Sequence, residues 1–157
     1  MSTTTETAQQ FDASTGNWRA GVLGGIGGAL VMGALVLAMN AATLEVAIPS
    51  LYTLAPPASA GLGLVVHVSH GAVLGVVFAG LVGAFDLDSL GGQVGLGAAW
   101  GAVTWVVLAA LVMPVWLDVV GSPANPPLPN FAIPSLLWHV VYGLVLGGVY
   151  ALVEDAV

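Results

Sequence analysis

The stretch HVSHGAVLGVVFA at residues 67–79 returns as HVVYGLVLGGVYA at residues 139–151. Eight of the thirteen positions are identical, and a ninth exchanges Phe78 for Tyr150. Neither copy contains Asp, Glu, Lys or Arg, and both set glycines at four-residue steps behind a leading histidine. His67, Gly71 and Gly75 therefore share one face of a helix, as do His139, Gly143 and Gly147. An apolar helix with one small, histidine-led face is built to meet another helix through that face.

The rest of the chain agrees with that environment. Of 157 residues, 58% are hydrophobic and 6% are charged, with a mean hydropathy of +1.00. Soluble domains carry about 25% charged residues, so this composition belongs to a protein that lives in lipid. Four apolar segments, at residues 18–46, 61–85, 92–119 and 134–153, are each long enough to cross a bilayer, which takes about 20 residues. Proline-rich or acidic loops separate them (PSLYTLAPPASA, DLDSLGG and GSPANPPLPN). Pro114 is predicted to kink the third segment.

The first and third segments also align, with Gly24 on Gly97, Gly28 on Gly101 and Leu44-Glu45-Val46 on Leu117-Asp118-Val119, an offset of 73. The histidine-led segments align at 72, placing Gly71 on Gly143 and Gly75 on Gly147. The predicted fold is an all-α membrane protein: four transmembrane helices, arranged as two tandem-duplicated hairpins about a pseudo-twofold axis along the membrane normal. Repeat 1 covers about residues 18–85 and repeat 2 about residues 92–155 of a single domain at 18–157. Residues 1–17, polar and without a basic signal region, read as a disordered tail that is retained. Every span carries a Gly-xxx-Gly pair (Gly24/Gly28, Gly71/Gly75, Gly97/Gly101, Gly143/Gly147), the small faces through which membrane helices approach closely.

Charge excludes some functions and orients the chain. The sole cation, Arg19, faces eight acidic residues, so phosphate-backbone contact with nucleic acid is excluded. No cysteine is present, which removes disulfides and thiolate chemistry. Arg19 beside the first span places both termini in the cytoplasm of a multi-pass cell-membrane protein by the positive-inside rule. Walker, GxSxG, HExxH and Rossmann patterns are missing from any fitting context, so no kinase or hydrolase activity is expected.

The ionisable groups within the spans concentrate chemistry at the outer end. Glu45 and His67 fall at similar depth on antiparallel neighbours, and Asp118 and His139 repeat that relation. His70 and its counterpart Tyr142 add two hydrogen-bonding side chains. Intramembrane ionisable groups call for a functional reading, and three stand open. A His/carboxylate cluster can clasp each hairpin or hold a small ligand. His67 and His139 can be the axial ligands of a b-type haem in an electron carrier. His67, His139, Glu45 and Asp118 can bind a divalent metal, or can pass protons. Expected partners are the lipid bilayer and another membrane protein or a second copy of the chain. Thr104 and Asn40 are the polar candidates deeper in the membrane, too few for a full proton channel.

LEVAIPSLY at residues 44–52 and WHVVYGLVLGGVYALVE at residues 138–154 resemble small four-span integral membrane proteins of halophilic archaea, a group of unknown function whose members include some labelled histidine kinase. The resemblance implies the four-span architecture and a halophilic host, and no active-site residue.

Overall fold

Three of the four helix starts are written by a polar residue set just before the apolar run. The computed structural model describes residues 16–157. Asn17 opens α1 (Trp18–Ser50) by accepting hydrogen bonds at its side-chain oxygen from the amides of Arg19 and Ala20, at 3.0 and 3.2 Å. Ser59 caps α2 (Ala60–Ala84), and Ser89 caps α3 (Leu90–Val119). Each cap satisfies a donor that the first turn leaves free. Pro134 lies in the first turn of α4 (Ile133–Val153), where a missing N–H costs nothing. The expected tail at residues 1–17 lies outside the described residues up to 15; Asn17 itself is built into the fold.

All four helices are long and apolar enough to cross a membrane. No strand occurs among the described residues. Three helices close with the same capping arrangement. Leu54 N–H bonds to Pro49 O while Thr53 N–H bonds to Ser50 O, with Thr53 left-handed at φ 58°. Leu87, Asp86 (φ 52°) and Val82 repeat it after α2, and Ser122, Gly121 (φ 67°) and Leu117 after α3. This is the Schellman cap. At Gly121 it is unstrained, whereas Thr53 is β-branched and disfavoured there.

Two prolines decide how the connecting segments attach. A proline within a helix cannot donate to the carbonyl four residues earlier. Pro49 thus frees the carbonyl of Glu45, which accepts from Ser59 N at 2.9 Å. Pro114 frees that of Ala110, which accepts from Asn130 N at 2.9 Å. Each loop therefore returns its chain onto the helix it has just left. The helix around Pro114 remains continuous to Val119, with a π-helical stretch, Trp105–Val112, directly before it. α1 is also deformed, breaking from helical geometry at Asn40 (φ −158°, ψ 71°) and running as π-helix over Thr43–Ala47.

Glycine sets the packing. A Cβ at Gly21 or Gly25 would overlap the carbonyls of Gly75 or Gly71, so α1 and α2 touch backbone to backbone. α3 and α4 meet in the same way, with Gly97 on Gly143, Gly101 on the His139 carbonyl and Gly147 on that of Gln93. The partners of Gly71 and Gly143 are thus Gly25 and Gly97, a spacing of 72 rather than the 73 expected for the first and third segments. Farther along, Leu44 and Leu117, 73 apart, are both fully buried. The π-helical stretch of α3 lies between those regions, and its wider turn accommodates an added residue.

α1 has a second glycine face. A Cβ at Gly24 or Gly28 would come 2.7 Å from the carbonyl of Leu146 or Tyr142 on α4. At the 72 spacing, α3 carries Leu96 and Trp100 at those positions, both part-buried against the core. The result is asymmetric, because α1 lies tightly on α2 and α4 while α2 and α3 approach much less. Phe78 and Tyr150 meet edge to face, at 5.6 Å between centroids, and hold α2 against α4 at matched depth.

Candidate functional site

His67 and His139 sit on the parallel helices α2 and α4 at the same level. Tyr142, three residues after His139, donates its phenol proton to the carbonyl of Gly71, four residues after His67, at 2.9 Å. His67 is 8% exposed, and its Nε2 is buried without a hydrogen-bond partner. That ring edge faces α1, where a Cβ at Gly33 would lie 3.5 Å from Cδ2 and 4.0 Å from Nε2. His139 engages its own helix, with Nδ1 bonded to the Ser135 carbonyl at 2.7 Å. A carbonyl can only accept, so Nδ1 carries the proton and Nε2 is the basic nitrogen.

The carboxylates do not join them. Glu45 enters the bonding through its backbone carbonyl, and the exposed Asp118 accepts at Oδ1 from the Asn125 side chain at 3.2 Å. The expected four-ligand set of His67, His139, Glu45 and Asp118 does not assemble, and no group of three or more His, Asp or Glu able to hold a metal occurs among the described residues. The reason is local: the Asp118 carboxylate finds its partner in the loop after α3, and the loop after α1 engages Glu45 only at its backbone carbonyl. Between α2 and α4, the Tyr142–Gly71 bond lies about one turn from the histidines and the Phe78–Tyr150 pair about three turns.

The histidine with a side-chain partner is His70. Its Nε2 and the Tyr52 hydroxyl share a hydrogen bond of 2.7 Å, with ring centroids 5.6 Å apart and planes tilted by 39°. Tyr52 belongs to the Schellman turn that closes α1, and Trp116 of α3 pins the preceding residue by donating its indole N–H to the Leu51 carbonyl at 2.9 Å. The pair stands in an open cleft of about 290 Å³ lined by Tyr52, Leu54, Val65, Val66, Ser69 and His70. The Ser69 hydroxyl is spent on the Val65 carbonyl at 2.8 Å, so the cleft is apolar apart from the Tyr–His pair. Sequence reasoning gave Tyr52 no role in the site. Its proximity in LEVAIPSLY to the loop before His70 was the available signal.

A second polar group lies at the opposite end of the bundle. Gln93, fully buried, donates from Nε2 to the Leu87 carbonyl at 2.9 Å and to Glu154 Oε1 at 2.7 Å. Asn17 joins the same end, its amide N–H bonded to the Tyr150 hydroxyl and its side chain to the Glu154 and Val157 carbonyls. These bonds tie together the ends of α1, α3 and α4, and sequence reasoning missed Gln93.

The class defined by these features is a four-helix, all-α protein of membrane-spanning composition with a small amphipathic cleft at one end. Compared with protein-family models, curated proteins and solved structures, the chain matches none.

Proposed function

We propose that this protein is a non-enzymatic component of the cell membrane that binds a small lipid-soluble molecule in the cleft beneath Tyr52. The single observation carrying this reading is the Tyr52–His70 hydrogen bond at 2.7 Å inside an otherwise apolar cleft. Small-molecule sites are concave and mostly apolar, with a few placed polar groups that fix orientation, and this cleft has that composition. Docking of another membrane helix is the weaker choice, because all four Gly-xxx-Gly faces are already filled from within the chain. The positive-inside tendency of Arg19 puts the cleft in the outer leaflet and both termini in the cytoplasm. The similarity to four-span proteins of halophilic archaea, and the reading of two duplicated hairpins, belong to the same proposal.

The test is extraction of gently purified protein. Organic extracts of the wild type are expected to contain a lipid-soluble small molecule near one per chain, strongly reduced in Ser69→Trp, which fills the cleft. Equal extracts from both proteins would overturn the reading. A bis-histidine haem carrier is kept as a second reading by the matched depth of His67 and His139. An absorption spectrum without a Soret band, from cells replete in haem, removes it.

A further inference from the structure

We infer that Met39 is an oxidation site, and that the indole N–H of Trp138 holds its sulfoxide as a redox-responsive clasp between α1 and α4. Neither residue lines the cleft beneath Tyr52.

Access singles out the sulfur. The chain has four methionines, of which Met1 lies outside the described residues. Met32 is 7% exposed inside the core and Met113 is part-buried against it, whereas Met39 is 53% exposed. An oxidant has to reach a thioether to convert it. Met39 is the open one among the described residues.

Its partner suits the product better than the reactant. Trp138 is 5% exposed and donates from Nε1 to Met39 Sδ at 3.1 Å, across 99 positions of the chain. A thioether is a weak acceptor, so this buried N–H is satisfied only in part. A sulfoxide oxygen is polar and accepts far better. The unbranched methionine side chain turns about three rotatable bonds, which lets the new oxygen meet the N–H while the indole stays in place.

The surroundings tolerate that polarity. A polar group in hydrocarbon is costly without a hydrogen bond. Here the indole covers one side, and the next residue, Asn40, is an exposed amide where α1 leaves helical geometry (φ −158°, ψ 71°). Trp138 is about one and a half turns from the start of α4, which puts the pair toward one end of the bundle. Met32, within the apolar core, has no comparable setting.

The oxidant belongs to the peroxide class. One sulfur lone pair faces the indole N–H, and the other attacks a peroxide oxygen. The S–O bond forms as the O–O bond breaks. With hydrogen peroxide the departing hydroxide takes the proton from the transferred oxygen and leaves as water. Sulfur loses two electrons and the peroxide gains them. Methionine sulfoxide reductases reverse the change, so the clasp can be reset.

Full-length protein in lipid nanodiscs, treated with hydrogen peroxide, provides the test through peptide mass spectrometry, thermal unfolding and the 1H–15N signal of the Trp138 indole. Met39 is expected to oxidise several-fold faster than Met32 and Met113. The indole signal should move downfield, and the melting temperature should hold or rise. Met39→Leu, which stays apolar, should show neither response to peroxide. In Trp138→Phe, which lacks the donor, oxidation should lower the melting temperature. Equal oxidation of Met32 or Met113 overturns the site. An unmoved indole signal after Met39 is oxidised, or a melting loss in wild type equal to that of Trp138→Phe, overturns the clasp. An unfolding transition before treatment confirms that each variant is folded; should Trp138→Phe not fold, the indole signal of wild type against Met39→Leu decides alone.

Discussion

The phenol of Tyr142 donates a hydrogen bond to the carbonyl of Gly71, 2.9 Å away and 71 positions earlier in the chain, inside the bundle. It joins the two histidine-led helices directly and uses an oxygen that glycine leaves accessible. Tyr142→Phe removes one such bond, and measured values in membrane proteins average about 0.6 kcal/mol with a ceiling near 1.7. The variant should melt slightly below wild type. Tyr142→Ala also deletes a buried ring and should cost about 3–5 kcal/mol. Thermal or denaturant unfolding in detergent checks both, and equal losses would mean that the hydroxyl, not the ring, carries the contact.

Glycine positions divide sharply by what surrounds them. Gly25 and Gly71 leave no room for a methyl group, whereas Gly80 and Gly148 have nothing within 4 Å. Gly25→Ala should destabilise by about 1–3 kcal/mol through overpacking. Gly80→Ala should be neutral or stabilise by up to about 1 kcal/mol, because alanine is the better helix former. The ordering of their unfolding midpoints is the measurement, and a reversed order contradicts the close backbone contact between α1 and α2.

Pro114 and Asn130 are coupled through a carbonyl neither owns. In Pro114→Ala, residue 114 regains an N–H that competes for Ala110 O with the amide of Asn130. The α3–α4 loop should loosen while α3 persists, since alanine favours helix by about 3 kcal/mol over proline in a helix interior. Hydrogen exchange at Asn130 is expected to accelerate several-fold. Unchanged protection there would show that the loop is held by other contacts.

At the other end, Gln93 Nε2 donates to the Leu87 carbonyl and to Glu154, while its Oε1 is buried without a partner. Gln93→Leu leaves the Leu87 carbonyl without its partner and should cost about 1–3 kcal/mol. Glu154→Gln keeps an acceptor oxygen in place and should cost less than about 1 kcal/mol. Melting temperatures of the two variants give the comparison, and a larger loss for Glu154→Gln would assign the role to its charge instead.

Hydropathy and glycine spacing carried the number of helices, their approximate limits and the faces through which they pack. Residues 18–46 were legible as a span, yet α1 continues to Ser50, because Pro49 enters a turn that is already helical and its missing N–H is answered by Ser59. The offset of 73 between the first and third segments was read from side-chain identity. Backbone contact instead pairs Gly25 with Gly71 and Gly97 with Gly143, and the return to 73 at Leu44 and Leu117 comes only after a π-helical stretch no local pattern announces. The carboxylate–histidine pairs failed for a related reason. Depth along a helix follows from sequence position, but the rotation of each helix and the course of its loop do not.

Membrane residence and a four-helix, glycine-faced chain follow from the sequence by itself, because transfer into lipid and helical periodicity are properties of each segment alone. Tertiary structure decided that α1 spends two glycine faces on two neighbours, that Asp118 turns to Asn125, and that His70 finds Tyr52. Those pairings depend on interhelical register and on the path of capped loops, where contacts between distant residues compete for the same few polar groups.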